Sequence, residues 1–228
     1  KPTFDAAERG GVNTGLAVSD RVINTALGCG MALLAYVAWP TWERGRARAA
    51  LAVMLDAYAS YLHALAQPAQ SAAHRDTRTA ARTARTNAQA SIDRMRTEPA
   101  TPPELLALAR TLFANGNRLA RTAMTLEATL DDLATLPAAD AIGRFVEHNA
   151  DAVQAIATAL RERQPLGALP ELRAMQRELV TSMQGVGDRA AFELLARISD
   201  RLVDNVDTLA HVTKRGLSEL AAAEPPVA

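Results

Sequence analysis

Residues 22–42 read VINTALGCGMALLAYVAWPTW and carry no charged side chain; Arg21 and Glu43 close the run. As a helix this stretch rises about 31 Å at 1.5 Å per residue, the thickness of a bilayer's hydrocarbon core. The pattern predicts one transmembrane helix over residues 21–42. Trp39 and Trp42 sit at one end, as an interfacial aromatic belt would, and Arg44, Arg46 and Arg48 follow. By the positive-inside rule that end faces the cytoplasm. Residues 1–20 contain Gly10, Gly11 and Gly15 and few bulky apolar side chains. They read as an extracytoplasmic loop, with Ser19 or Asp20 capping the helix. A buried helix of a soluble bundle is the competing reading, because Asn24, Thr25, Gly28 and Gly30 dilute the apolar run.

After Pro40 the apolar positions recur with helical period. A helix is predicted from Thr41 to about Gln67, with Leu51, Met54, Leu55, Tyr58, Leu62 and Leu65 on one stripe. Residues 68–71 are a break. The next helix, residues 73–99, has an apolar side made mostly of alanine: Ala81, Ala84, Ala88, Ile92 and Met95. Pro99, Pro102 and Pro103 end it, and Thr101 and Glu104 have capping-box spacing. A fourth helix runs to about Leu133 on the leucines from Leu105 onward, with Asn115-Gly116 as a candidate kink. Residues 136–137 turn the chain into a fifth helix carrying Ile142, Phe145, Val146, Val153, Ile156 and Leu160. Leu172, Met175 and Leu179 mark a short sixth. Phe192, Leu195, Ile198, Leu202, Val206 and Leu209 mark the seventh. No segment alternates with period two. The fold class is therefore all-α: one transmembrane helix, then an antiparallel multi-helix bundle over residues 43–228. The four later helices have the strongest stripes and are expected to form the main core.

Composition sharpens this picture. Formal net charge is zero over 228 residues, so no basic field calls for nucleic acid. Nearly all cations are arginine; Lys1 and Lys214 are the only lysines. The one cysteine, Cys29, lies in the apolar run and reads as packing. The chain begins at Lys1 without a methionine and reads as a piece of a longer protein.

The search for chemistry yields arginines rather than a catalytic set. His63, His74, His148 and His211 have no histidine or cysteine partner at metal-ligand spacing, and no phosphate-binding glycine loop or nucleophile motif occurs. No metal, cofactor or enzyme activity is expected. Arg75, Arg78, Arg82 and Arg85 step by 3, 4 and 3 and share one helix face. That face is either an anion or lipid-headgroup stripe, or a solvated and carboxylate-paired one. Arg118 and Arg121, with Asn117, either face a polar pocket or lie in solvent. Asn149 falls on a core stripe, as a side-chain amide bonded inside the bundle or at its edge, or as a ligand contact. Gly28, Ala32 and Ala35 form a small-residue face that another membrane helix could approach. Asn24 and Thr25 either bond a neighbour or a backbone carbonyl, or line a solute path.

The segment Arg21-Val-Ile-Asn24-Thr25-Ala-Leu-Gly28, followed by MALLAYVAWPTWE, resembles the last membrane helix of the fusaric acid resistance (FUSC) family. The family's pattern of arginine, Asp/Asn-Thr, glycine, an apolar run and Trp-Pro is met by Arg21, Asn24, Thr25, Gly28, Trp39 and Pro40. The helical tail, with Arg-rich and Ala-rich segments and Glu98-Pro99, looks like that family's C-terminal cytoplasmic region. The resemblance implies a bacterial inner-membrane location and export of small, often aromatic, carboxylic acids. It also implies as partners membrane lipid, the parent protein's other membrane helices and a membrane-fusion accessory protein. The helical domain would serve assembly, gating or substrate capture. The alternative is a membrane-anchored bundle that forms homo-oligomers or recruits a partner without transport.

Overall fold

The computed structural model describes residues 5–38, 43–67, 71–98, 101–132, 138–184 and 189–223, all in helices and the short turns between them. Seven helices follow one another: α1 (Asp5–Ala38), α2 (Glu43–Leu65), α3 (Ser71–Thr97), α4 (Pro103–Asp132), α5 (Ala139–Glu162), α6 (Leu172–Met183) and α7 (Arg189–Ala223). The all-α class holds among these residues. Trp39 and Pro40, and the turns expected at 68–71 and 136–137, fall wholly or partly outside them. The chain divides into two compact units, Lys1–Trp42 and Glu43–Ala228.

In the first unit the loop expected over residues 1–20 is helical from Asp5, because α1 is continuous to Ala38. Ala6, Ala7, Glu8 and Arg9 are strong helix formers. Gly10, Gly11 and Gly15 each cost about 1 kcal/mol relative to alanine without stopping a helix already nucleated. The transmembrane expectation does not gain support: among the described residues no helix is long and apolar enough to cross a membrane. Asp20, Arg21, Asn24 and Thr25 share α1 with the apolar side chains and lower its mean hydropathy.

In the second unit α2 is the central element, packed against α3, α4 and α5. Its buried residues include Ala47, Leu51, Ala52, Met54, Leu55, Tyr58, Ala59, Tyr61, Leu62 and Leu65. The four later helices supply most of the buried side chains, as their stripes predict; the central position of α2 among its neighbours is the addition that the structure makes. A helix enclosed on several sides has apolar residues all round and so shows only a weak stripe. The alanine side of α3 fits against this core, with Ala81, Ala84, Ala88, Ile92 and Met95 all buried. Small side chains let the helices approach closely.

Contacts between named residues give the topology. His74 Nε2 lies 2.8 Å from the Ala64 carbonyl oxygen, at the end of the α2–α3 hairpin. Gln154 on α5 donates to Asp56 on α2, whose carboxylate also pairs with Arg161. Asn205 on α7 donates to Thr122 on α4, and Gly216 sits against Leu108 one end further along. Consecutive helices thus run up and down, with α4 beside α7 and α6 closing over α5 and α7. α4 passes through Asn115-Gly116 as one helix rather than breaking there. Gly116 is buried because α2 lies on it: a Cβ at this position would stand 2.7 Å from Met54 Cε. Thr101 departs from the capping box, since its hydroxyl donates to the Met95 carbonyl of α3 at 3.0 Å. It ties the end of one helix to the start of the next.

Burial predicts sharply different responses in the two units. Leu62 is fully buried on α2, whereas Leu33 on α1 is 66% exposed. Leu62→Ala should lower the urea-unfolding free energy by about 2–5 kcal/mol, and Leu33→Ala should change it by less than about 0.5 kcal/mol.

Candidate functional site

The α3 arginine stripe does not act as a unit. Arg78 turns inward and pairs with Glu127 at 3.1 Å. Glu127 is buried on α4 and also accepts a 2.5 Å hydrogen bond from the Tyr61 hydroxyl. A buried carboxylate needs such partners, because an unpaired one loses its hydration without compensation. Arg75, Arg82 and Arg85 remain exposed on α3. Of this expected anion stripe, then, one member is an internal ion pair.

Beside it, the Tyr58 hydroxyl points toward Asn117 Oδ1 at 3.5 Å. Burial pushes the Tyr58 phenol up to about 12, with nearby Arg85 pulling the other way. Burial, followed by the hydrogen bond to Glu127, pushes the Tyr61 phenol up further. A group whose folded pKa is raised contributes stability that is complete below its unfolded value, about 10 for tyrosine, and lost as pH climbs through the folded value. The unfolding free energy should therefore fall between pH 10 and 12, and Tyr58→Phe should make that fall shallower in urea titrations. A fall of unchanged steepness would mean that Tyr58 titrates alike in both states. Tyr61→Phe, measured at pH 7, should cost about 1–3 kcal/mol by removing a donor from a buried carboxylate.

A cleft opens where α4 meets α7. Its lining is Arg118, Arg121, Thr122 and Thr125 from α4, with Ile198, Arg201, Asp204 and Asn205 from α7, around a volume of about 350 Å³. Spacings of three, four and seven put each set on one helix face. The Asn205 amide donates to Thr122 Oγ1 at 2.9 Å and fixes the register of the two walls. The Thr125 hydroxyl donates to the Arg121 carbonyl at 3.0 Å. Asp204, the one carboxylate in the lining among the described residues, is held by Arg173 of α6, which also reaches Asp200. Arg118, Arg121 and Arg201 are exposed, and among the described residues none of them has a carboxylate partner. Guanidinium groups with free donors are the standard receptor for carboxylate and phosphate oxygens. This arrangement has the chemistry to bind a small anion.

Of the residues singled out in the sequence, Arg118 and Arg121 therefore share a cleft, and Asn117 lies near Tyr58 instead. Arg201, Asp204 and Asn205 were not anticipated. They sit beside the α7 core stripe, and nothing local in the sequence says that α4 lies opposite. Asn149 is fully buried, with its amide donating to the Phe145 carbonyl at 2.8 Å. Among the described residues no group of three or more metal-ligating side chains comes together.

On α1, positions advance by about 100° per residue. Arg21, Asn24, Thr25, Gly28 and Ala32 fall within a sector of about 100°, while Val18, Val22, Ile23, Leu27, Met31, Leu33 and Leu34 span about 220° of the remainder. All seven large apolar side chains are more than half exposed. The Thr25 hydroxyl donates to the Arg21 carbonyl at 2.7 Å, so its proton is taken within its own helix. A Cβ on Gly28 would meet nothing within 4 Å. Compared with protein-family models, curated proteins and solved structures, the chain matches none.

Proposed function

We propose that this chain is the C-terminal part of a bacterial inner-membrane exporter of small, including aromatic, carboxylic acids, and that its helical bundle captures the acid anion on the cytoplasmic side. The observation that carries the reading is the α4/α7 cleft, where three arginines that have no carboxylate partner among the described residues line a space of about 350 Å³. That size lies at the small end of the range for ligand pockets. The resemblance of residues 21–40 to the FUSC family supplies the context of export, and the exposed apolar arc of α1 supports a place for that helix among lipid and the parent's other helices.

The dilution of α1 by polar residues fits a helix that inserts in company. Its broad apolar arc would meet lipid. Its narrow sector of Arg21, Asn24, Thr25, Gly28 and Ala32 would meet neighbouring helices, which small and hydroxyl side chains allow to approach. The same exposed arc favours a second reading, a membrane-anchored bundle that dimerises without transporting anything.

Cell fractionation and anion binding test the two halves of this reading. The full chain expressed in bacteria should sediment with membranes and resist an alkaline wash. In detergent it should bind a simple carboxylate such as benzoate or malate, with affinity falling as salt screens the arginines. A chain that is soluble and monodisperse without detergent would remove the membrane half. Dimers that form without any acid, together with no acid binding at low salt, would favour the second reading.

A further inference from the structure

We propose that the α4/α7 cleft selects compact dianions, with two acid groups on a short frame or one phosphate, over aromatic monocarboxylates. This rests on the reading of the cleft as an anion site and narrows its ligand. Arg118 and Arg121 stand one turn apart on one wall, and Arg201 stands on the other. The lining's single carboxylate among the described residues, Asp204, is already engaged by Arg173 from outside the cleft. A monocarboxylate brings one negative charge to three guanidiniums; a dianion brings two and can engage both walls with charge-assisted bonds.

The rest of the lining points the same way. Among the described residues Ile198 is its one large apolar side chain and is itself 3% exposed, so it presents little surface to a ligand. No aromatic side chain among the described residues lines the space. An aromatic ring would find neither a stacking partner nor an apolar wall, the features that ordinarily hold the apolar body of a ligand. What the cleft offers instead is hydrogen bonding. Thr122 Oγ1 accepts from Asn205 and keeps its own proton to donate. Asn205 retains a second amide hydrogen. Hydroxyl and oxyanion oxygens suit these groups; a phenyl ring does not.

The test is calorimetric titration of the full chain, in a neutral detergent at low ionic strength and pH 7.5, with malate, inorganic phosphate and benzoate. Malate or phosphate should bind at least tenfold more tightly than benzoate, and the tighter of the two tells whether the natural acid groups are carboxylates or phosphate. Arg118→Gln and Arg201→Gln should each weaken that binding at least tenfold. Arg197→Gln, an exposed arginine of α7 outside the lining, should leave it unchanged. Melting curves of all three variants should overlay the parent, since these side chains are exposed. Benzoate binding as tightly as malate and phosphate would overturn the selectivity while leaving the acid-capture reading intact. Dianion binding indifferent to both Arg118→Gln and Arg201→Gln would overturn the site. Binding of none of the three anions would remove both readings together.

Discussion

The enclosure of α2 is the constraint on which the second unit depends. Ala52, Met54, Ala59 and Leu62 are fully buried, and ten residues of this one helix belong to the core. A helix buried on several sides must be covered by several neighbours, so α3, α4 and α5 all take their positions from it. The alanines of α3 and Gly116 of α4 are the matching reductions in bulk. They allow the backbones of two neighbours to close on side chains as large as Met54 and Tyr58. Buried tyrosines carry a polar tip into that core, and each tip must find a partner. Glu127 and Asn117, both on α4, supply them.

Arginine has two roles in this bundle, and its partners separate them. Three guanidinium–carboxylate pairings join elements: Arg78 links α3 to α4, Arg161 links α5 to α2, and Arg173 links α6 to α7; Arg189 and Arg215 pair within α7. The exposed pairs of Arg173 contribute at most about 1 kcal/mol each and set register, whereas the Arg78 pair compensates the buried Glu127 carboxylate. Arg118, Arg121 and Arg201 line one cleft, and among the described residues none of them pairs with a carboxylate; guanidiniums so placed favour an incoming anion. Asp204 stands between the two roles. It lines the cleft, yet its charge is drawn toward Arg173 on α6.

The first unit follows the opposite rule. From Val18 to Leu34 large apolar side chains stand exposed on α1, and the bundle's core is complete among residues of α2 to α7. Exposed apolar surface on this scale is a site of association rather than of folding.

Helical period alone determined most of the architecture. Leu51, Leu55 and Leu62, the alanine side of α3, and the α5 and α7 stripes are spaced by local geometry, and each lies in the core where its period placed it. Burial of Asn149 was legible for the same reason, since it occupies a stripe position. The starting residue of α1 was not legible, because three glycines imitate a loop while the neighbouring residues propagate a helix. The central place of α2 was hidden as well, since its stripe marks residues that turn inward but not the three neighbours that cover the helix. Pairing across the bundle was beyond the sequence altogether. Tyr61 and Glu127 are 66 positions apart, and Thr122 and Asn205 are 83. Local periodicity says which face of a helix turns inward, but not which other helix it meets. Only tertiary packing turned Arg118 and Arg121 from a solvated pair into one wall of a cleft, by bringing Arg201 opposite them.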